Sequence, residues 1–500
     1  MKIELKGLPN LNEVKALILP VFEESEISQE DYPRNLKEVL EQKNTDRPFL
    51  GKKGSTRLLP LFHQEFPQMV VLIGMGKRED LNPQSIATNF GKAVQKCYTE
   101  NYISVGLDLT PLEGTLPLKS LVQTLGKSLI LSKYSFNKYK QDSSDETPPI
   151  ETVYLFSRDE EELFSTKSAL EEGISIGEGI CFARDLVNEP ANVMTPSALA
   201  QVASVQGEIY GLDVKILDEN EMNRLGMEAF LNVSKGSSQP PKLIVMRYQG
   251  NPSSDQIYGL VGKGLTYDSG GYSIKPTGGM LTMKMDMGGA ASAIGTIAAV
   301  AKNRLKVNLT VVIAACENMI SGNAYRPGDV IGSMAGKTIE ITNTDAEGRL
   351  TLADAVHFII DQEKVNSIID IATLTGAALV ALGKNITPYL SSTNEGSQQL
   401  EDASKNSLEK IWRLPAESDY HDLLKSEIAD MKNSGPRLAG TIVAGLFIEK
   451  FTQSLPWIHL DIAGTSWQDK KGPLSPVGGT GAGVDLLYQY YKIQSRSKKE

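Results

Sequence analysis

The chain has 500 residues, of which 41% are hydrophobic and 22% charged, the composition of a globular protein and not of a disordered one. Its formal net charge of −10 argues against a general phosphate-backbone binder, and so against nucleic acid as a partner. Cys97, Cys181 and Cys316 are too few and too scattered for a disulfide framework. The start of the chain lacks a signal-peptide pattern and no stretch is apolar enough to span a bilayer, so we expect a cytoplasmic protein without membrane contact.

The first part of the chain alternates strand-like and helix-like segments, the rhythm of a parallel or mixed sheet. Short apolar runs predict strands at Met69–Ile73, Ile103–Leu109 and Val153–Phe156. Helical patterns lie between them, at Ser85–Lys96 and Leu118–Leu131. The polar run Asn137–Pro149 is predicted to be a loop.

A long helical pattern, from Glu160 to about Val187, marks the predicted boundary between two domains. We expect a smaller N-terminal α/β domain over residues 1–165, a connecting helix over 166–190, and a larger C-terminal catalytic α/β domain over 191–500. The predicted fold class of the second domain is a mixed, mostly parallel central sheet flanked by helices.

The second domain shows a further series of strand and helix patterns, and several of its strands are continuous apolar runs typical of burial on both faces. The predicted strands are Val214–Leu217, Leu243–Arg247, Gly259–Gly262, Leu309–Ala315, Thr338–Ile341, Ile368–Ala372 and Trp457–Ile462. The predicted helices include Gly289–Ala301, with its apolar residues on one stripe, Leu350–Ile360 and Val484–Tyr491.

Three glycine-flanked acidic segments follow strands of this second series. They are Val261–Pro276, Met283–Ala291 and Asn343–Leu350. Ligands of open α/β sheets bind at the carboxyl ends of the strands, where the pattern places all three segments. In an extended backbone Asp345 and Glu347 would point to the same side, since they are two residues apart.

Four carboxylates in one crevice would repel each other strongly without cations, which indicates a metal site. They are Asp268, Asp286, Asp345 and Glu347. None of the four histidines pair at the spacing of a histidine zinc motif, so oxygen ligands for Mn²⁺, Mg²⁺ or Zn²⁺ are expected. Two ions fit four carboxylates better than one and would polarise a carbonyl, with Lys275 and Arg349 supplying positive charge for an oxyanion.

Taken singly, each of these residues has a plainer interpretation, as a helix cap, a loop carboxylate or a solvated cation. It is their combination at successive strand ends that favours a site. Two glycine-rich segments resemble phosphate loops but lack the required spacing and context: Gly332–Thr338 precedes a strand, and Gly478–Gly483 precedes the last helix. Among the clustered methionines Met283 is expected either to fill the core or to line an apolar pocket.

The octapeptide NTDAEGRL, Asn343–Leu350, resembles without substitution the signature of the leucyl aminopeptidase family, peptidase family M17. Other segments follow the pattern of that family in order and spacing: VGKG…DSGG…SIKP, MKMDMGGAA, ENMISGNAYRPGDV, IATLTGA, IADMKN and HLDIAGTSW. The resemblance is strong from about Arg184 to Leu487, whereas the first ~165 residues match only in length and rhythm.

The resemblance implies a role for each site residue. Lys263 would be a metal ligand through a neutral amine, Asp268 and Glu347 would bridge two ions (Mn²⁺ or Zn²⁺), and Asp286 would complete the site of Lys263. Asp345 would bind the other ion through its side chain and main-chain carbonyl. Lys275 would stabilise the tetrahedral gem-diolate, and Arg349 would hold a bicarbonate ion that acts as general base toward the bridging water.

The resemblance also implies the substrate and the assembly. Peptides with a free N-terminus would place their α-amine at a metal and Asp286, and their first side chain in an apolar pocket formed with Met283 and Thr373. Leu374 would add a main-chain contact. A preference for Leu or other apolar residues and a homohexamer are expected from the family. The ending Gly478–Leu487 and Tyr267 depart from the family pattern, and neither departure touches a proposed ligand.

Two other functions fit parts of the pattern. A two-metal phosphoesterase would use the same carboxylates, although phosphate sites usually recruit more Arg and His. A structural or DNA-binding scaffold would keep the fold without catalysis, against which the intact ligand set and the acidic charge argue.

Overall fold

The computed structural model describes residues 1–7, 11, 13–23, 48–61, 67–141 and 150–496. The chain folds into two compact units. One comprises Met1–Glu178 and Lys471–Pro476, and the other comprises Gly179–Lys470 and Val477–Glu500. The division falls within the helix Lys167–Asn188. The predicted loop 137–149 is described only to residue 141, and its remainder lies outside the described residues.

The N-terminal unit is built around a sheet with helices packed against it. Its described strands are β1 (Lys2–Gly7), β2 (Ala16–Phe22), β3 (Thr56–Pro60), β4 (Met69–Gly76), β5 (Ser104–Asp108) and β6 (Thr152–Ser157). They lie in the order β1-β6-β5-β2-β4-β3, and neighbours are parallel except for the pair β3 and β4. The helices of this part are α1 (Pro83–Thr99), α2 (Leu118–Ser132) and α3 (Glu160–Phe164).

The three strands predicted in this unit are confirmed as β4, β5 and β6, and both helices as α1 and α2. The prediction missed β1, β2 and β3. The first of these is a charged, partly exposed strand of sequence KIELKG at the sheet edge, so it has no continuous apolar run. Pro20 interrupts the apolar run of β2, and a proline inside a run argues against predicting a central strand there.

The single helix predicted from Glu160 to Val187 is wrong in one respect, because it is broken into α3 and α4 (Lys167–Asn188). Two hydroxyl groups end α3: Ser165 Oγ donates to the carbonyl of Glu162 and Thr166 Oγ1 to that of Leu163, each at 2.6 Å. Serine and threonine side chains commonly satisfy the last carbonyls of a helix in this way, in competition with the next helical turn.

The C-terminal unit is built around a larger mixed sheet. Its strands are β7 (Asp213–Leu217), β8 (Lys242–Gln249), β9 (Ile257–Asp268), β10 (Asn308–Asn318), β11 (Val330–Ile331), β12 (Ile339–Glu340), β13 (Ser367–Ala372), β14 (Thr387–Ser391), β15 (Ile411–Arg413), β16 (Met431–Lys432), β17 (Trp457–Asp461), β18 (Trp467–Gln468) and β19 (Gly478–Gly479). The main sheet has the order β15-β14-β17-β13-β9-β10-β8-β7, and its four central strands β17, β13, β9 and β10 are parallel.

Helices cover this sheet. After α4 they are α5 (Pro196–Tyr210), α6 (Glu219–Arg224), α7 (Glu228–Ser234), α8 (Thr277–Met280), α9 (Gly288–Lys302), α10 (Gly348–Asp361), α11 (Gly376–Leu382), α12 (Asn394–Lys405), α13 (Gly440–Glu449) and α14 (Val484–Gln494). The predicted fold class, a two-domain α/β protein with mixed, mostly parallel sheets, is confirmed. In the described ranges every helix is too short or too polar to cross a bilayer.

Two predicted strands differ from the structure in ways that matter for the site. The strand predicted at Gly259–Gly262 runs from Ile257 to Asp268, so Lys263 lies inside β9 and not in a loop beyond it. The strand predicted at Thr338–Ile341 is only Ile339–Glu340, and it belongs to a separate small sheet with β11 and β16. The signature segment therefore does not continue a strand of the main sheet.

Helix α9 is buried on all sides, whereas the sequence predicted a single apolar stripe. It packs against β9 and β10 of the sheet and also against α5 and α14, which accounts for its small residues around the whole circumference. A helix that is apolar all round is typical of a position in the interior.

Candidate active site

All ten residues predicted for the site line one cavity of about 480 Å³ in the C-terminal unit. They are Lys263, Asp268, Lys275, Met283, Asp286, Asp345, Glu347, Arg349, Thr373 and Leu374. The three acidic segments therefore converge as the sequence predicted, although Asn343–Leu350 follows a strand of the separate small sheet and not of the main one. What each residue does there depends on its contacts.

The elements around the carboxyl end of β9 place the charged groups. Lys263 lies within β9 and Asp268 ends it. Asp286 belongs to the 3₁₀ turn Met283–Met287, which packs against β9 and leads into α9. Glu347 immediately precedes α10. Sheet, turn and helix start therefore direct side chains from different parts of the sequence into one space.

The ammonium of Lys263 contacts three polar groups. Its Nζ lies 2.7 Å from Asp286 Oδ1 and 2.9 Å from Glu347 Oε1, and it donates to the carbonyl of Thr373 at 2.8 Å. Burial alone would lower the pKa of this amine, but the carboxylates of Asp286, Glu347 and Asp268 raise it above its ordinary value. In this arrangement the amine is an ammonium, and a neutral amine requires cations that compete with its proton.

Lys275 forms the second pair of ionic contacts. Its Nζ lies 2.7 Å from Asp268 Oδ2 and 2.5 Å from Asp345 Oδ1. Asn318, at the end of β10, donates from its amide to Asp268 Oδ1 at 2.8 Å and fixes the carboxylate from the other side. Despite its burial, which lowers the pKa, Lys275 has a pKa raised by the surrounding carboxylates, so it remains positively charged in the cavity.

Three carboxylates form a cluster that fits a metal ion. Ligand oxygens of Asp268, Asp286 and Glu347 all lie within 4.8 Å of one another, and the three side chains are buried. Burial followed by the charge of Glu347 raises the pKa of Asp268 to about 6, and burial raises that of Asp286 well above its usual range. Asp286 Oδ2 and Glu347 Oε2 are buried without a hydrogen-bond partner. Closely spaced buried oxygens with free lone pairs are the donor set of a hard divalent cation.

Arg349, in the first turn of α10, is the third cation of the cavity. Its guanidinium is buried and donates from Nη1 to the carbonyl of Asn433 at 3.0 Å, while its Nε has no partner. Burial lowers the pKa of Arg349 to about 10, so the group stays charged at neutral pH. An unpartnered N–H on a buried cation is suited to an anionic ligand.

The signature segment is a turn, so the prediction of an extended backbone at Asp345 and Glu347 is wrong. The backbone N–H of Asp345 donates to Asn343 Oδ1 at 2.9 Å, and Glu347 has helical dihedrals of φ −77° and ψ −38°. An Asx turn followed by a helix start directs the two carboxylates to different lysines. Asp345 contacts Lys275, and Glu347 contacts Lys263.

The apolar part of the cavity lies beside these charges. Met283, Met285, Leu374, Leu379, Val443 and Ala463 contribute to its lining. Met287, by contrast, is fully buried in the core. The methionine cluster therefore serves both of the roles that its sequence allows. Thr373 connects the two parts, since its hydroxyl donates to Asp286 Oδ1 at 2.8 Å.

The two glycine-rich segments set aside in the sequence have structural roles. Gly332–Thr338 leads into β12, and the Lys337 ammonium donates to the carbonyl of Lys450. In the second segment Gly483 has φ 95°, and a Cβ there would lie 2.3 Å from Ile371 Cδ1. Only glycine has both the conformation and the space for this close approach before α14.

Two polar residues beside the site were not predicted from the sequence, although they lie in the family-like segments IADMKN and HLDIAGTSW. Asn433 donates to the carbonyl of Asn343 at 2.6 Å and accepts from the backbone N–H of Thr342 at 2.9 Å, so it holds the signature turn. Asp461 accepts from the backbone N–H of Leu374 at 3.1 Å. Asn433 directly follows the short strand β16 and Asp461 is the last residue of β17, and that position at a strand end is the signal by which they are recognisable.

The comparisons with known proteins agree across both units. Residues 181–488 match the cytosol aminopeptidase family, catalytic domain, and residues 18–143 match the N-terminal domain of that family. A relative named "Probable cytosol aminopeptidase" in Clostridium perfringens is 48% identical over 478 residues, which cover 95% of this chain and 96% of the relative. A relative of the same name in Clostridium tetani is 46% identical over 422 residues, covering 84% and 87%.

Solved structures give the same result. The Bottromycin maturation enzyme BotP matches with 28% identity and a TM-score of 0.84, over 96% of this chain and 99% of its own. A structure of BotP in complex with Mn matches with 29% identity and a TM-score of 0.85, with the same coverage. The resemblance stated from the sequence is confirmed: the chain belongs to the cytosol aminopeptidase family, and it is a hydrolase of the aminopeptidase class.

Proposed function

We propose that the chain is an aminopeptidase that uses two divalent ions, Mn²⁺ or Zn²⁺, to release N-terminal amino acids from peptides, with Leu and other apolar residues preferred. The observation that carries this proposal is the convergence of Asp268, Asp286 and Glu347, whose oxygens lie within 4.8 Å of one another beside Lys263. Family membership supports metal dependence. A structural role alone does not account for buried carboxylate oxygens without partners.

The ligand set follows from these contacts and from the family resemblance. Lys263 and Asp286 would hold one ion, Asp345 the other, and Asp268 and Glu347 would contact both. Four carboxylates line the cavity together with two lysines and two arginines, Arg349 and Arg437, so the support for cations comes from the unpartnered buried oxygens of Asp286 and Glu347 and not from a net charge. When bound, the ions would polarise the scissile carbonyl and lower the pKa of a water molecule.

The remaining charged residues would act on the substrate directly. Lys275 is held between Asp268 and Asp345, so its ammonium offers a fixed positive charge to the carbonyl oxygen as that oxygen becomes negative. Asp286 would accept a hydrogen bond from the α-amine of the peptide. Arg349 would hold a bicarbonate ion, a weak base for proton transfer, and its unpartnered Nε supports an anion at this place.

The apolar lining supports the proposed preference for apolar N-terminal residues. Met283 and Thr373 would contact the first side chain, and Leu374 would add a main-chain contact. Burial of a leucine side chain in such a pocket contributes about 1.5–3 kcal/mol of binding free energy. The homohexamer and the cytoplasmic location remain parts of the proposal that follow from the family, and exposed Leu281, Val380 and Leu438 offer apolar surface to other copies.

The proposal is tested by Asp345→Ala. Asp345 is one-third exposed, so its loss should leave the fold intact while it removes a proposed metal ligand. We expect metal-dependent hydrolysis of Leu-p-nitroanilide to be abolished, with an unchanged circular dichroism spectrum. Asp402→Ala, which removes an exposed carboxylate paired with Lys405 outside the cavity lining, is the matched control and should keep full activity.

Full activity of Asp345→Ala, or of metal-free enzyme, would reject the proposal. Assays with p-nitrophenyl phosphate on the same preparations test the phosphoesterase alternative. Hydrolysis of the phosphate ester with no hydrolysis of the anilide would favour that alternative.

A further inference from the structure

Asp461 is a fully buried carboxylate that no proposed step uses. It ends β17, where Ala372 is its neighbour at the end of the parallel strand β13. Because both strands end here, the side chain of Asp461 reaches the turn that follows β13. This turn, Thr373–Thr375, forms part of the cavity wall.

The hydrogen bonds of this carboxylate hold the turn and the backbone beside it. Oδ1 accepts from the N–H groups of Leu374 at 3.1 Å, Thr375 at 3.4 Å and Ala463 at 3.2 Å. Oδ2 accepts from the hydroxyl of Thr375 at 2.6 Å. Charged hydrogen bonds of this kind are roughly twice as strong as neutral ones, so the carboxylate fixes the turn firmly.

One peptide unit connects Asp461 to Lys263. The N–H of the unit between Thr373 and Leu374 donates to Asp461, and its carbonyl accepts from Lys263 Nζ at 2.8 Å. The N–H and the carbonyl of a trans peptide point in opposite directions, so the carboxylate on one side sets the direction of the carbonyl on the other. A hydrogen bond to the N–H also polarises the carbonyl and strengthens its contact with the amine.

We propose that Asp461 is a positioning residue that holds Lys263 in place through the Thr373–Leu374 peptide and thereby sets the metal affinity of the site. The inference rests on the proposed function for the metal ions. The same turn carries Thr373, whose hydroxyl contacts Asp286, so the position of a second proposed ligand depends on it. Outer groups that orient metal ligands typically contribute 10–100-fold to metal affinity.

A purely structural role of Asp461 can be distinguished from the proposed positioning role, because the chain contains a matched carboxylate for comparison. Asp354 is also fully buried and accepts two backbone N–H groups, from Phe230 at 2.9 Å and Met334 at 2.8 Å. Neither partner lines the cavity. Asp354→Ala should therefore lower the stability of the fold without changing the turn at Thr373–Thr375.

The test is calorimetric titration of Mn²⁺ into the full-length metal-free protein. We expect Asp461→Ala to weaken the Mn²⁺ affinity by about 10–100-fold. Asp461→Asn keeps an acceptor at Oδ1, so its Mn²⁺ affinity should lie within about fivefold of the wild-type value. Asp354→Ala should bind Mn²⁺ as the wild type does. In parallel, kcat for Leu-p-nitroanilide should fall by about 100-fold in Asp461→Ala, because a ligand is misplaced.

Hydrogen exchange of the wild type provides a measurement that does not depend on a stable variant. The amide of Leu374 should be protected in the metal-free protein, and Asp461→Ala should lose that protection locally. An unprotected Leu374 amide in the wild type, or an unchanged Mn²⁺ affinity in Asp461→Ala, would overturn the inference. A wild type that binds no Mn²⁺ would instead refute the proposed function itself.

Discussion

At the scale of single residues, the cavity is organised as two lysines that are each shared by two carboxylates. Lys263 contacts Asp286 and Glu347, whereas Lys275 contacts Asp268 and Asp345. Each carboxylate is thereby held in a fixed place despite the repulsion among four like charges. Lys263 itself is held by close packing against the start of α10.

Gly348 provides the space for Lys263. A Cβ at this position would lie 2.5 Å from Lys263 Cε and 2.8 Å from its Nζ, so Gly348→Ala should displace the end of a flexible side chain and leave the backbone in place. We expect kcat/KM for Leu-p-nitroanilide to fall by about 100-fold, since a shift of about 1 Å in a catalytic group has that effect. The melting temperature should change little.

Gly322→Ala is the control for this variant, because a Cβ at Gly322 has no atom within 4 Å. It should keep wild-type kinetics. Wild-type kinetics in Gly348→Ala would show that Lys263 has room to move without consequence.

The residues of the cavity were predictable from sequence, but their contacts were not. Acidic residues among glycines after strands mark the charged part of the site, the family resemblance adds Thr373 and Leu374, and all ten predicted residues line the cavity. The sequence did not show that the turn at Asn343 separates Asp345 from Glu347. Long-range partners such as Asn433 and Asp461 depend on which strand ends meet in space, which periodicity does not encode.

At the scale of elements, strands with an uninterrupted apolar run were predictable, whereas the edge strands β1 and β15 and the central strand β2, whose run contains Pro20, were not. Continuous apolar runs identify β4, β10 and β13, which are almost wholly buried, and β8, which is buried in its apolar part. Edge strands such as β1 and β15 alternate with charge or are very short, so they lack that signal. Buried polar groups also join elements. Asp354 of α10 accepts hydrogen bonds from the backbone N–H of Phe230 in α7 and from that of Met334.

The pH dependence of stability tests the role of Asp354. Burial raises its pKa to about 7, whereas an unfolded aspartate has a pKa of about 3.9. At Asp354 the folded chain therefore binds more protons between these values, and the contribution of this group to stability falls as pH rises from about 4 to 7. Between pH 5 and pH 8 the decrease in the free energy of unfolding should be smaller in Asp354→Asn than in the wild type, by up to about 3 kcal/mol.

The measurement is urea unfolding of metal-free protein at pH 5 and pH 8. Asp361→Asn, which changes a partly exposed carboxylate of the same helix, is the control and should follow the wild type. Equal losses of stability in Asp354→Asn and the wild type would contradict the prediction.

At the scale of the whole molecule, the lining of the cavity comes from the C-terminal unit, as far as the described residues define it. Sequence motifs of that unit predicted the family, which the matches to both domains confirm. The N-terminal unit was predictable only as an alternation of strands and helices, because we recognised no motif for a site in its sequence. Its sheet order is set by contacts between distant segments, such as β1 with β6.

The central claim is that the cavity holds a pair of divalent ions required for hydrolysis. It is tested most directly by measuring the metal content of the purified protein by mass spectrometry, together with hydrolysis of Leu-p-nitroanilide before and after chelation. We expect two divalent ions per chain, loss of activity on chelation, and recovery with Mn²⁺ or Zn²⁺. Undiminished hydrolysis by a protein free of metal would contradict it.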